Sequence, residues 1–281
     1  MKNVVRISIV LIMLGCLSVP LQAQEHETIW PGESTPEQPS KGVYKADGVR
    51  TTTYRYSHAG TTLKGYLAVP EGLKEKRPGV LIVHQWKGLG DYEKRRARQL
   101  AQMGYVAFAA DIYGADTRPS TDHEAAMASS TFRKNRGFYR KRVNAALNEL
   151  RDYRKVNSDH LGAIGYCFGG TGVLELARSG ADVDAVVSFH GGLANPNPRD
   201  ARNIKAVVQV HHGAQDPHVS QQDVLSFWNE MKPTDADWEL HVYSDAEHGF
   251  TESHSDAYNK RADRLSWRAM KRLFSEEFVS K

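Results

Sequence analysis

Ala163-Ile164-Gly165-Tyr166-Cys167-Phe168-Gly169-Gly170 is the stretch on which the fold turns. It reads Gly-x-Cys-x-Gly at the end of an apolar run, with small residues opening the segment that follows. The pattern describes a strand that turns sharply into a helix and lifts one side chain to the top of a sheet, a nucleophile elbow. Glycines flank the raised residue because side chains there would strike neighbouring backbone. A thiol carried this way sits at a helix N-terminus, where the macrodipole favours the anionic form. The alternative is a buried structural cysteine beside a glycine-rich turn.

Outward from the elbow, strand and helix patterns alternate. Upstream, residues 51–57 and 61–69 read as a strand pair joined by His58-Ala59-Gly60, and residues 79–83 form a continuous apolar run typical of a strand buried on both faces. Residues 91–103 read as a charged helix, 105–109 as a strand and 140–153 as an amphipathic helix with Val143, Ala146, Leu147 and Leu150 on one face. Residues 160–165 are the strand leading to Cys167, and 171–178 the helix behind it. Downstream come strands at 185–189, 206–210 and 238–243, and helices at 219–231 and 257–278. This alternation predicts an α/β fold with a mostly parallel sheet covered by helices on both faces. Residues 117–137 fall at the strands' carboxyl ends, where they form either a lid or pocket wall or an ordinary surface helix.

A thiol nucleophile needs a base, and the base needs an orienting group. Asp216 follows the strand at 206–210, and His248 follows the strand at 238–243. The order nucleophile, acid, histidine is the one that accompanies a nucleophile elbow. Asp245 is the rival acid; loop capping and solvated-loop roles are the alternatives for Asp216 and His248. His84, His190, His211, His212 and His218 lie near strand ends, but their spacing matches no familiar metal-ligand pattern, and structural roles fit them better. Trp86, Tyr113, Tyr166, Phe168 and Phe250 line a pocket or pack the core.

These residues resemble the dienelactone hydrolase family. The resemblance rests on Gly165–Gly170, on His212-Gly213 with Asp216, on His248-Gly249-Phe250, on His84 through Asp91 and on Asp111-Ile112-Tyr113-Gly114. It implies an α/β-hydrolase fold and a Cys167–His248–Asp216 triad acting on esters or lactones. It also implies an oxyanion hole from the backbone N–H groups of Trp86 and Phe168. Two positions depart from the family pattern. Gln85 stands in the first loop where the family often has a glutamate that exchanges partners with the thiol. After the histidine, where family members that hydrolyse dienelactone carry an arginine for the substrate carboxylate, this chain has Thr251 and Glu252. An acidic residue there repels a carboxylate, so dienelactone itself is not the expected substrate.

The 281 residues suffice for one large domain, expected over residues 48–281. Residues 1–23 read as a signal peptide, with Lys2 and Arg6 before an apolar stretch and cleavage after Ala23. Alternatives are a lipid-modified Cys16 or an uncleaved anchor. Residues 24–47 are rich in Pro, Glu, Ser and Lys and read as a flexible segment. Removal of the signal leaves 35 basic and 33 acidic residues, a net charge of +2 with no basic block, which argues against nucleic acid. Cys167 is then the one remaining cysteine, so no intrachain disulfide is possible in a compartment that would permit one. The expectation is an exported, periplasmic hydrolase of a small-molecule ester or lactone. It needs no cofactor or metal, has no protein partner and does not insert stably in a membrane. The other readings are a ligand-binding protein on the same fold, or a thiol-dependent acyl-transfer or redox protein.

Overall fold

The apolar runs on either side of the elbow build the centre of a nine-stranded sheet. A computed structural model describes residues 44–278; the expected signal peptide, Cys16 and the expected flexible segment up to residue 43 lie outside the described residues. The strands are β1 (Tyr44–Ala46), β2 (Val49–His58), β3 (Thr61–Pro70), β4 (Arg77–Val83) and β5 (Val106–Ala110). They continue with β6 (Val156–Tyr166), β7 (Ala185–Phe189), β8 (Val207–Gly213) and β9 (Trp238–Tyr243). Their order across the sheet is β1-β2-β3-β5-β4-β6-β7-β8-β9. From β5 to β9 the pairings are parallel, while β1, β2 and β3 pair antiparallel at one edge.

Among the described residues six α-helices cover the sheet: α1 (Asp91–Gln102), α2 (Asp122–Lys134), α3 (Arg136–Arg151), α4 (Phe168–Arg178), α5 (Gln221–Met231) and α6 (Lys260–Glu277). On one face, Leu100 of α1 and Met270 and Phe274 of α6 pack on Val80, Ile82 and Ile164. On the other, Val143 and Leu147 of α3, Val173 and Leu176 of α4 and Phe227 of α5 pack on Leu81, Val83 and Ala163. Alternate residues of one strand thus face opposite helix layers, so the central strands read as unbroken apolar runs. The expected α/β-hydrolase architecture is present. Because β4 to β9 run parallel, the loops at 84–90, 111–121, 167, 190, 214–220 and 244–252 all emerge at one end of the sheet.

Several boundaries differ from the sequence reading by a few residues, and three of them are instructive. Tyr44–Ala46, expected within the flexible segment, forms β1; Asp47 and Gly48 at positive φ (52° and 73°) make the tight turn that pairs it with β2. Helix α3 begins at Arg136, four residues earlier than expected, because the Asn135 side chain caps it by accepting the Phe138 N–H at 2.9 Å. Strand β8 runs on through His211 and His212, which are buried strand residues and not loop residues. Among the described residues no helix is long and apolar enough to cross a membrane.

Candidate active site

Cys167 caps α4 with φ 53° and ψ −114°, a left-handed conformation that a side chain adopts only under constraint. The constraint is visible on both sides. Its N–H donates to the Phe189 carbonyl at 3.0 Å, and its carbonyl accepts from the Thr171 N–H at 3.2 Å. A Cβ on Gly165 would collide with the Gly169 carbonyl, and one on Gly169 with the Val83 carbonyl. The elbow therefore closes only with glycine at both positions. The thiol stands over the first turn of α4, whose N–H groups have no intrahelical acceptor.

Asp216 and His248 converge on this thiol. Asp216 Oδ1 accepts the N–H groups of His218 (2.8 Å) and Val219 (3.1 Å), and Oδ2 accepts His248 Nδ1–H at 2.8 Å. Three hydrogen bonds thus orient the carboxylate. The imidazole also hydrogen-bonds the Cys167 side chain. Burial pushes the His248 imidazole down, but the hydrogen bonds to Asp216 and Cys167 and the charges on both carry it up to about 10. Burial likewise opposes ionisation of Asp216, and the bonds to His248, His218 and Val219 outweigh it and hold the carboxyl below its usual range. Asp245 does not reach the histidine; its backbone carbonyl accepts from the Asn259 side chain.

The first loop is fastened at several of its backbone groups. His84 Nδ1–H donates to the Gln85 carbonyl at 2.6 Å, and His84 Nε2 accepts the Ile112 N–H at 3.2 Å. Burial lowers this imidazole to about 4, so it stays neutral in that tautomer. The buried Glu93 carboxylate accepts the N–H groups of Gln85 (3.1 Å) and Gly90 (2.9 Å). The Tyr113 hydroxyl donates to the Trp86 carbonyl at 2.8 Å, and the Tyr139 hydroxyl to the Phe168 carbonyl at 2.8 Å. No protein acceptor takes the N–H of Trp86 or of Phe168 among the described residues. Both expected oxyanion donors are thus left without a protein acceptor among the described residues.

Three further histidines lie around His248. His190, buried and at φ 39°, meets His248 edge-to-face at 5.3 Å, and its Nε2 lies 2.9 Å from Thr251 Oγ1. Burial holds His190 well below its usual range. The exposed His218 ring stands perpendicular to His248 at 5.0 Å. His212 is buried next to the acid loop. Among the described residues no group of three or more His, Cys, Asp or Glu side chains is placed to hold a metal ion.

The aromatic residues resolve mostly as core. Tyr113, Tyr166, Phe168 and Phe250 are buried, while Trp86 remains partly exposed. Phe132 of α2 stacks on Tyr113 and Phe138 and meets Phe168 edge-on, so residues 117–137 supply a wall against the elbow. Arg118 is not free for an anion: its guanidinium holds the buried Asp111 carboxylate at 2.9 Å. A surface hollow lined by Pro70, Leu73, Lys74, Arg77 and Gly104 lies at the opposite, amino ends of the parallel strands. Sequence reasoning missed Glu93, Tyr113 and Tyr139 as supports. The signal for Glu93 was its place three residues after Gly90 at a helix start, a capping-box position.

A strained cysteine elbow on a mostly parallel sheet, with an acid–histidine pair in the loops after β8 and β9, defines an α/β-hydrolase. The model of the Dienelactone hydrolase family matches residues 63–278, and the chain belongs to that family of ester and lactone hydrolases. A solved structure named m3DLH superposes with a TM-score of 0.79 at 36% identity, covering 82% of this chain and 99% of that one. The structure of a dienelactone hydrolase-like promiscuous phosphotriesterase from metagenomic libraries has a TM-score of 0.78, also at 36% identity, with the same coverage. A protein of Aquifex aeolicus (strain VF5), inferred to be a carboxymethylenebutenolidase, is 27% identical over 213 residues, 74% of this chain and 90% of its own.

Proposed function

We propose that the chain hydrolyses a carboxylic ester or lactone through a Cys167–His248–Asp216 triad. The observation that carries this is the single imidazole held at once by Asp216 at 2.8 Å and by the Cys167 side chain. The Cys167 sulfur attacks the carbonyl carbon, a C–S bond forms, and the carbonyl electrons move to oxygen. The N–H groups of Trp86 and Phe168 stabilise that oxyanion; losing one such donor typically costs about 10²–10³ in rate. Collapse expels the alkoxide, which takes a proton from the His248 imidazolium. Water then gives its proton to His248 and attacks the thioester, and Cys167 leaves as thiolate. Asp216 keeps the imidazole in one orientation throughout.

Gln85 bears on the resting state. A neutral amide cannot take a proton from the thiol, so the cation available to the sulfur is the His248 imidazolium. Neutral esters are the expected substrates over acid-bearing ones, because the first loop and the histidine loop offer Gln85 and Glu252 and no arginine. The phosphotriesterase relative makes a neutral aryl phosphotriester a second compound class worth assaying. The pattern of residues 1–23 supports an exported enzyme, testable by N-terminal sequencing of the protein from a periplasmic extract. The central experiment is a screen of aryl esters and lactones against wild type and Cys167→Ala. Turnover that survives equally in the variant overturns the cysteine mechanism.

A further inference from the structure

Two side chains from different loops meet beside the reacting groups, and neither belongs to the triad. Glu252 stands four residues after His248, and its carboxyl folds back over Gly249, close enough that a methyl group there would touch Oε1 at 3.3 Å. The Gln85 side chain hydrogen-bonds that carboxyl, so the contact joins the histidine loop to the loop that holds the Trp86 N–H.

The charged groups facing Glu252 are His248, Lys87 and Glu93. Each is committed elsewhere. His248 is shared between Asp216 and Cys167. The Lys87 ammonium sits 2.8 Å from Asp122 Oδ1. Glu93 holds the N–H groups of Gln85 and Gly90, and its negative charge opposes ionisation nearby. No ion pair to Glu252 is formed among the described residues. Glu252 is thus a half-buried carboxylate whose direct partner is a neutral amide, and burial pushes it above its usual range. Such a group is costly until a positive charge approaches it. The Trp86 ring, next in sequence to Gln85 and partly exposed, already carries a cation near its face, with Lys87 Nζ 5.7 Å from the ring centre. A carboxylate without an ion pair and a partly exposed aromatic face are each groups that attract an ammonium.

We propose that Glu252, steered by Gln85, is the subsite for a positively charged group on the substrate, so that the enzyme selects esters whose acyl part ends in an ammonium. This rests on the hydrolase reading above. The test uses three aryl esters of matched shape, with acyl chains ending in trimethylammonium, tert-butyl or carboxylate. Wild type should cleave them in that order of kcat/KM. Glu252→Gln should lower the ammonium-to-tert-butyl ratio about tenfold, mostly through KM, as expected for one charge-assisted contact. Glu252→Lys should reverse the order of the two charged esters. The wild-type ratio should also fall as pH drops and Glu252 protonates, and tetramethylammonium should compete with the ammonium ester. A wild-type ratio of one, or a ratio that Glu252→Gln leaves unchanged, overturns the subsite. If all three esters resist wild-type enzyme, the hydrolase reading falls with it. Cys167-dependent cleavage of the tert-butyl ester with no charge preference defeats the subsite alone. Should Glu252→Gln not fold, the pH dependence and the tetramethylammonium competition in wild type decide.

Discussion

Two groups of charged side chains flank α4, one over its N-terminus and one along its buried flank, and they are built on opposite plans. Along the flank, Glu175 accepts from Arg140 at 2.7 Å and Arg178 at 3.1 Å, and Glu230 accepts twice from Arg178 at 2.8 Å and once from Asn195 at 2.7 Å. Arg178 Nη2 also donates to the Leu193 carbonyl at 3.1 Å. Only Arg136 stands slightly apart, 3.9 Å from Glu175 with two nitrogens unbonded. Over the N-terminus, by contrast, partners are left out: the N–H groups of Trp86 and Phe168 have no protein acceptor and Glu252 has no ion pair among the described residues. The same residue types make scaffold where bonding is complete and chemistry where it is not.

The sharpest way to break this contrast is to remove a reacting group. Cys167→Ala and His248→Ala should each lose about 10⁴-fold or more in kcat/KM, since such residues act as a unit, while thermal unfolding stays close to wild type. Retention of more than about a tenth of wild-type kcat/KM by either variant would defeat the assignment of that residue. The reverse pattern belongs to the flank. Arg178→Ala leaves the buried Glu230 without its cation and Glu175 with Arg140 as its nearest, and should cost about 3–5 kcal/mol in urea unfolding. Its turnover per folded molecule should hold; a large drop in kcat at full folding would mean that the two networks are one.

Supports of the reserved groups should fall between these extremes. Tyr113→Phe frees the Trp86 carbonyl and loosens the N–H beside it. A decrease of about tenfold in kcat with KM nearly constant is expected, less than the loss of the donor itself. An equal change in kcat and KM would point to a pocket wall instead. The smallest effect is read in pH. The His248 imidazole is raised in the folded chain to about 10 from 6.5. Its contribution to stability is therefore complete below pH 6.5 and is lost as pH rises through 10. The melting-temperature advantage of wild type over His248→Gln should shrink across that window; an advantage that grows with pH contradicts the ion pair.

What was legible in the sequence follows from how local the physics is. Gly165, Cys167 and Gly169 announce the elbow because the conflict between a side chain at 165 and the Gly169 carbonyl lies within five residues. Asp216 and His248 were readable from chain order, since parallel strands deliver successive loops to one end of the sheet. Strand β1 was not, because Asp47-Gly48 sits in a polar stretch that resembles a tether until its partner strand is known. The tautomer of His84 was also hidden, since the Ile112 N–H that fixes it belongs to another loop. The contact between Gln85 and Glu252 was equally out of reach: each residue looked like a departure, and only folding shows that the two departures touch.

The bond from the Cys167 N–H to the Phe189 carbonyl has a consequence for how the protein matures. The strained turn is propped by a strand that is made after it, and the next link, from the His190 N–H to the His211 carbonyl, reaches further still. A growing chain that has emerged only as far as Ala214 owns its cysteine but neither acid nor base. The elbow's props and the Asp216–His248 pair are therefore completed together, only once the last loops are in place.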